Sequence, residues 1–189
     1  MDPVYFVTSN PGKVESANAI LADLNLPIQI EMLPADYPED KSEETTAAIA
    51  AASARWCADK HKKSVIVTDV GLFIHALKGF PGINTAFTLA RIGEEGILKL
   101  MADEEDRGVT WELSLGFARP GEDPKIFTAT TDGIIATAMG PADGMGFDPI
   151  FIAPGHTKTL AHDTTVRDTI SPFREALRAF GTWYDASNS

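Results

Sequence analysis

The stretch Val-Tyr-Phe-Val-Thr-Ser-Asn-Pro-Gly-Lys, residues 4–13, indicates the fold of this chain. Its first four residues favour a β-strand, and the proline and glycine that follow end that strand. From Lys13 to Leu24 the apolar residues recur at helical spacing, which predicts that a helix follows the turn. A strand, a tight turn and a helix in this order are typical of α/β proteins.

The turn between this strand and this helix has the features of a phosphate-binding site. Backbone N–H groups at a helix N-terminus are available to an anion and carry partial positive charge. Thr8, Ser9 and Asn10 add short polar side chains, and Lys13 adds an ammonium group. The turn is not a Walker A loop, because the required glycine and Lys-Ser/Thr spacing is absent. Phosphate binding and an ordinary strand-to-helix turn are both open at this point.

Composition and charge limit the classes of protein to which the chain can belong. Its 189 residues fit a single domain, and its formal net charge of −11 argues against a general nucleic-acid-binding surface. The single cysteine, Cys57, cannot form an intrachain disulfide, so we expect a reducing, cytoplasmic setting. We find neither a basic leader nor an apolar run of the ~20 residues that span a bilayer, and therefore expect no membrane partner.

The rest of the chain alternates predicted helices and strands. Three further helices are predicted, at residues 42–61, 87–101 and 171–180. A buried strand is predicted at residues 64–68, where it ends directly before Asp69. Two long strands at residues 111–118 and 125–138 form a predicted hairpin. Helices that alternate with strands, followed by a hairpin, indicate a mixed α/β sheet.

Two acidic residues are candidates for metal chemistry. Asp69 follows an apolar strand, and a carboxylate at such a strand end lies where ligands commonly bind α/β sheets. With Mg²⁺ it could hold the metal or activate water, whereas the alternative is a turn aspartate that binds its own backbone. Glu39, in an acidic loop, could supply a second carboxylate if that loop folds toward Asp69, and otherwise belongs to a solvated loop.

The glycine-rich segment at residues 144–151 is a candidate for binding an aromatic ligand. Gly146 permits close approach of the backbone, and Phe147 could stack on a base. Asp148 could accept hydrogen bonds from a base edge, although a glycine loop with a buried phenylalanine and a capping aspartate is the alternative. The four histidines lack the spacing of a zinc site, so zinc is not expected.

Taken in order, four segments resemble motifs of the inosine/xanthosine triphosphate pyrophosphatase family. They are Thr-Ser-Asn-Pro-Gly-Lys-Val-Glu at residues 8–15, Asp-Val-Gly-Leu with Ala-Leu-Lys-Gly-Phe-Pro-Gly at 69–82, Gly-Met-Gly-Phe-Asp-Pro-Ile-Phe at 144–151 and Lys-Thr-Leu-Ala at 158–161. Any one of these matches would be weak, but their order along nearly the whole chain is specific. The chain is therefore identified as a divergent member of this family.

The resemblance implies a fold and an activity. The fold would be an elongated mixed α/β sheet with flanking helices, in which residues 1–189 form one domain of two lobes around a central cleft. The activity would be Mg²⁺-dependent cleavage of a nucleoside triphosphate to the monophosphate and pyrophosphate. The usual substrates are deaminated purine nucleotides, so the role would be cleansing of the nucleotide pool. The family also implies a homodimer.

The resemblance assigns roles to individual residues. The triphosphate would be bound at the first turn, by Thr8, Ser9, Asn10 and Lys13. Asp69 and Lys13 would take part in catalysis, and Glu39 and Asp69 would hold the metal. The base pocket would be lined by Gly146, Phe147 and Asp148, with Arg167 and Arg174 as further substrate contacts.

Several positions depart from the family pattern. Thr68 stands where the family has a second acid, and residues 47–54 lack the usual Asn and Lys. Arg167 replaces a lysine, and Pro172 and Phe173 replace a His-Arg pair that would read the base, while Arg174 lies one position late. Two alternatives therefore stay open: a nucleotide-binding protein without catalysis, and a related phosphohydrolase with a changed substrate.

Overall fold

The computed structural model describes residues 3–38, 43–142 and 144–188. Contacts between residues divide the chain into two compact units. The first unit comprises residues 1–69, 113–129 and 173–189, and the second comprises residues 70–112 and 130–172.

The strands of the described residues form one mixed sheet of seven strands. They are β1 (Val4–Val7), β2 (Ile30–Leu33), β3 (Val65–Ile74), β4 (Pro81–Gly82), β5 (Gly108–Ala118), β6 (Lys125–Ile135) and β7 (Phe151–Ile152). The order in the sheet is β2-β1-β3-β5-β6-β7, and β4 pairs with β3. Strand β1 is parallel to β2 and β3, whereas β4 is antiparallel to β3 and β7 to β6. The predicted mixed sheet is confirmed.

Five α-helices and one 3₁₀ helix accompany the sheet in the described residues. They are α1 (Pro11–Asp23), α2 (Thr46–His61), α3 (Thr85–Leu100), α4 (Thr164–Ile170), α5 (Pro172–Asn188) and the 3₁₀ helix Leu160–His162. Helix α3 is interrupted at Gly93, whose φ of 64° and ψ of −177° are accessible mainly to glycine. Among the described residues, no helix is both long and apolar enough to cross a membrane.

The first unit is packed around small residues of α2 and an aromatic cluster of α5. Ala54, Cys57 and Ala58 of α2 pack against Val65 and Val67 of β3. On the side of α5, rings at five positions contact one another: Phe117, Phe127, Phe180, Trp183 and Tyr184. The alanines of α2 therefore provide close packing, whereas the aromatic rings of α5 and of β5 and β6 provide the larger buried area.

Asn18 of α1 binds the edge strand of the sheet. Its side-chain amide donates a hydrogen bond of 2.9 Å to the carbonyl of Ile30 and accepts one of 3.0 Å from the N–H of the same residue. Strand β2, to which Ile30 belongs, is the first strand in the sheet order. Both backbone groups of Ile30 are thereby satisfied by one side chain.

The second unit has its own apolar core and a partly buried arginine that joins three backbone segments. The core includes Trp111, Phe147 and Phe151, together with Leu72 and Ile135. Arg107 binds three backbone carbonyls, donating from Nε, Nη1 and Nη2 over 2.7, 2.8 and 2.6 Å to Ile135, Met101 and Ala136. These bonds join β6 to the end of α3 and fix the start of β5.

Strand β3 is longer than the sequence predicts, and this changes the setting of Asp69. The prediction that the strand ends before Asp69 is wrong, because β3 continues to Ile74. The added part is stabilised by pairing with β4, in which Leu72 and Phe73 oppose Gly82 and Pro81. Asp69 consequently lies within a strand, where its backbone conformation is set by the sheet.

Candidate functional site

The first turn is held by hydrogen bonds among its own residues. The Asn10 side chain accepts a bond of 2.9 Å from the N–H of Gly12 and so caps α1. The N–H of Asn10 donates over 3.1 Å to the hydroxyl of Thr8. Pro11 occupies the first helical position, where its missing N–H is not needed. Ser9, Asn10 and Lys13 are exposed, so the turn presents polar groups on a fixed backbone.

Asp69 is a half-buried carboxylate on the same unit. Its Oδ2 atom is buried, and the neighbouring Val67 is fully packed in the core. The predicted second metal ligand, Glu39, lies outside the described residues. Among the residues that are described, no three His, Cys, Asp or Glu side chains form a group that could hold a metal. Because Mg²⁺ is commonly held by one or two carboxylates plus substrate phosphates and water, Asp69 and Glu39 suit this ion by chemistry.

In the second unit, two residues predicted to bind substrate form an ion pair. Arg167 donates from Nε to Oδ1 of Asp148 over 2.9 Å. The other carboxylate oxygen, Oδ2, accepts a hydrogen bond of 3.1 Å from the N–H of Met145. The Asp148 side chain is 1% exposed, whereas that of Arg167 is 24% exposed. The buried carboxylate thus joins the glycine-rich segment to a partly exposed guanidinium on α4.

Phe147 lies in the core of the second unit. Its side chain is buried, and its ring meets that of Trp111 edge-on at a centroid distance of 5.3 Å. Gly146, directly before it, is exposed and has a φ of 58° that favours glycine. Packing of Phe147 therefore anchors the segment, and Gly146 provides the turn that exposes the backbone. Contacts of Gly146 and Phe147 with a base stay a prediction.

Arg174 lies at the far end of α1 from the first turn. Its Nη2 atom is 3.5 Å from Oδ2 of Asp23, the last residue of α1. Asp23 is ten residues beyond Lys13, which at the helical rise of 1.5 Å per residue corresponds to roughly 15 Å. The preceding residue, Phe173, stacks on Phe6. The substrate contact of Arg174 stays a prediction.

A second group of polar residues surrounds a cavity of about 400 Å³ in the second unit. Lys158 and Thr159, from the fourth family-like segment, line it together with His162. The Thr159 hydroxyl and Nδ1 of His162 are 2.9 Å apart. At its rim, hydrogen bonds from the side chain and backbone of Thr165 lower the pKa of Asp163, and nearby His156 acts in the same direction. The Asp163 carboxylate thus remains charged and caps α4.

Trp111 has a contact that the sequence does not predict. The sequence places it only as the first residue of a strand, yet its ring lies beneath the guanidinium of Arg167, with Cζ 5.4 Å from the ring centroid. It also contacts both Phe147 and Phe151. A buried aromatic residue in a strand carries no signal in the sequence that would identify such a partner.

Comparisons with known proteins place this mixed α/β protein in a family. A family model described as the Ham1 family matches residues 4–183. A protein of Methanopyrus kandleri named dITP/XTP pyrophosphatase is 42% identical over 182 residues, covering 96% of this chain and 95% of its own. A protein of Thermococcus kodakarensis with the same name is 40% identical over 179 residues, which cover 94% of this chain and 95% of that protein. The chain belongs to the Ham1 family, and the resemblance found in the sequence is confirmed.

A solved structure supports the same assignment. The Ham1 protein of Staphylococcus aureus superposes with a TM-score of 0.84 at 25% identity, over 98% of this chain and all of the other. The Ham1 protein of Coxiella burnetii, at 24% identity, gives a TM-score of 0.85 and supports the fold alone. The fold is thus shared across relatives whose sequences differ at most positions.

Proposed function

We propose that this protein hydrolyses deaminated purine nucleoside triphosphates to the monophosphate and pyrophosphate, with Mg²⁺ as cofactor. The observation that carries the proposal is the 42% identity to a dITP/XTP pyrophosphatase over nearly the whole of both chains. Its role is to cleanse the nucleotide pool of damaged precursors. We further propose that it acts in the cytoplasm as a homodimer.

The first turn binds the triphosphate. Hydrogen bonds within the turn hold its backbone in place, and the hydroxyls of Thr8 and Ser9 and the side-chain NH₂ of Asn10 can donate to phosphate oxygens. Lys13, exposed in the first turn of α1, neutralises part of the phosphate charge. Because the protein is strongly acidic overall, its net charge does not attract an anionic triphosphate, and the local positive charge of Lys13 is needed to bind it.

Asp69 and Glu39 hold Mg²⁺ and organise hydrolysis. When bound, the metal neutralises phosphate charge and favours attack by water on phosphorus. Asp69, fixed within β3, orients the attacking water and accepts its proton. The bond from that phosphorus to the oxygen that bridges the α- and β-phosphates then breaks, and pyrophosphate and the nucleoside monophosphate are formed. Lys13 neutralises the charge that accumulates on the phosphate oxygens.

Arg167, oriented by Asp148, binds the base. The Nε atom of Arg167 is engaged by Asp148, and no described residue accepts a hydrogen bond from its terminal nitrogens. Two such N–H groups match the oxygen at C6 and the N7 atom of a 6-oxopurine. Adenine carries an amino group at C6, which is a donor where the arginine N–H needs an acceptor, so adenine nucleotides are disfavoured.

A screen of the purified protein tests this function. Standard and deaminated nucleoside triphosphates are incubated with Mg²⁺, and pyrophosphate and phosphate are measured separately. We expect inosine or xanthosine triphosphate to release pyrophosphate and Asp69→Asn to abolish that release. Asp59→Asn, an exposed aspartate near the end of α2, is the matched control and should retain turnover. Unchanged turnover in Asp69→Asn would contradict the proposed hydrolysis. Tight binding of a nucleotide without release of product would favour a nucleotide-binding protein that lacks catalysis.

A further inference from the structure

We propose that Trp111 is a positioning residue that holds the Arg167 guanidinium in place for the substrate base. The proposal rests on the function proposed above and adds to it a residue that touches no substrate. Its basis is the arrangement of Arg167 between a buried carboxylate and a buried indole ring.

Arg167 is restrained on two sides. Its Nε atom donates to Asp148 over 2.9 Å, and its Cζ atom lies 5.4 Å from the centroid of the Trp111 ring. A guanidinium over an indole face is attracted by the ring quadrupole, and tryptophan gives the strongest such contact of the aromatic residues. The ion pair fixes one edge of the planar group and the ring fixes its face.

The Trp111 ring is itself firmly held. Its side chain is 2% exposed, and edge-on contacts with Phe147 and Phe151 have centroid distances of 5.3 and 5.9 Å. Phe147 belongs to the same segment as Asp148, so the two groups that hold Arg167 are packed together. A ring fixed by the core is a rigid support for a long, flexible side chain.

The indole nitrogen indicates that Trp111 does more than fill space. Its Nε1 atom is buried and has no hydrogen-bond partner among the described residues. Burial of an unsatisfied donor costs free energy, and a phenylalanine would avoid that cost. The attraction between the indole face and the Arg167 guanidinium offsets this free-energy cost, because a phenylalanine ring attracts a cation less strongly than an indole ring does.

Restraint of Arg167 should act on substrate binding rather than on the chemical step. An arginine that is free before binding loses side-chain entropy when it contacts a ligand, whereas a restrained one has already lost it. Loss of the Trp111 ring should therefore raise KM for the nucleotide and leave kcat nearly unchanged. Loss of Arg167 should remove the contact through which Trp111 acts.

A double-mutant cycle in the full-length protein tests this coupling with inosine triphosphate. We expect Trp111→Phe to raise KM roughly threefold with kcat unchanged, as the weaker cation contact of phenylalanine implies. In the Arg167→Gln background the same substitution should have no further effect on KM. Ile97→Val, which alters the same core without removing a ring that contacts Trp111, should have the same effect in both backgrounds. A Trp111→Phe effect of equal size in both backgrounds overturns the proposal.

A measurement without turnover separates this proposal from the function it rests on. In a Trp56→Phe/Trp183→Phe background, Trp111 is the single tryptophan, and its fluorescence reports the group above its ring. We expect Arg167→Gln to change the emission intensity, with circular dichroism verifying that the fold is kept. An unchanged emission overturns the contact whatever the activity, whereas a changed emission without hydrolysis of any nucleotide refutes only the proposed function.

Discussion

Asp148 shows how a charge can be kept inside a protein. Its side chain is almost fully buried, and its two oxygens are bonded to Arg167 and to the N–H of Met145. Removal of one partner from such a pair leaves the other charge uncompensated, which is more costly than loss of an exposed pair. Asp148 is therefore both a structural anchor of its segment and the group that orients Arg167.

Lys13 offers the sharpest single-residue test of phosphate binding. Lys13→Ala removes a cation from an exposed site, so the free energy of unfolding should change by less than about 0.5 kcal/mol. The loss of a charged contact of about 1.5–3 kcal/mol should lower kcat/KM roughly ten- to hundredfold. Steady-state kinetics and urea unfolding measure the two quantities. Lys99→Ala, on the exposed face of α3, is the control, and an equal loss in both variants would contradict the prediction.

Some residues of the proposed site can be predicted from the sequence, and others cannot. Lys13 and Asp148 are predicted because they lie in short motifs whose backbone is set locally by Pro11 or by glycines. The contact between Trp111 and Arg167 joins positions 56 residues apart, and no local pattern encodes it. For Arg174, the motif position predicts a substrate contact and the structure adds a neighbour, Asp23, which no local pattern indicates.

At the scale of elements, α1 and α2 both begin with a side-chain cap, which binds the second following N–H in α1 and the third in α2. Asn10 accepts from the N–H of Gly12 over 2.9 Å, and Thr45 accepts from the N–H of Ala48 over 3.1 Å. Each cap satisfies one of the N–H groups that a helix start leaves without a partner. The caps differ in setting, because Asn10 belongs to the turn proposed to bind phosphate.

The two caps therefore form a matched pair for mutation. Asn10→Ala and Thr45→Ala should each lower the free energy of unfolding by about 1 kcal/mol, measured by urea denaturation. Only Asn10→Ala should raise KM for the nucleotide, because it loosens the turn that carries Lys13. If both variants, at equal stability, showed the same KM, the turn would have no special role in binding.

Element boundaries were less predictable than element types. The hairpin of β5 and β6 and the break in α3 follow from alternation and from a glycine, which are local signals. The length of β3 depends on pairing with β4, a two-residue strand formed by Pro81 and Gly82. A strand containing proline and glycine has no strand signal of its own, so its partner was also cut short in the prediction.

At the scale of the whole molecule, Cys57 can report global unfolding. It is fully buried in the first unit, and this burial raises the pKa of its thiol to about 11, with nearby Lys60 acting in the opposite direction. The reactive thiolate is therefore scarce in the folded protein near neutral pH. At pH 8, we expect a thiol reagent to label Cys57 at least about a hundredfold faster in 8 M urea than in buffer. Labelling at similar rates in both would contradict the burial.

The same thiol predicts a direction for stability at alkaline pH. Because the folded pKa is raised, the unfolded thiol ionises first as the pH increases. The contribution of Cys57 to stability is complete below the ordinary thiol pKa and is lost as the pH rises toward about 11. Urea midpoints measured from pH 8 to pH 10.5 should fall less in Cys57→Ala than in the parent protein. An identical fall would exclude this contribution.

The amide of Asn18 also has a consequence for the behaviour of the protein in concentrated solution. Strand β2 stands first in the sheet order, and an open strand edge invites a further strand from another chain. By occupying both backbone groups of Ile30, Asn18 blocks that position against self-assembly into aggregates. Asn18→Leu should therefore increase light scattering on prolonged incubation at high concentration. Ser16→Leu, at an exposed position of α1, should not do so. Asn18, which has no proposed role in catalysis, thus helps to prevent aggregation through the edge of β2.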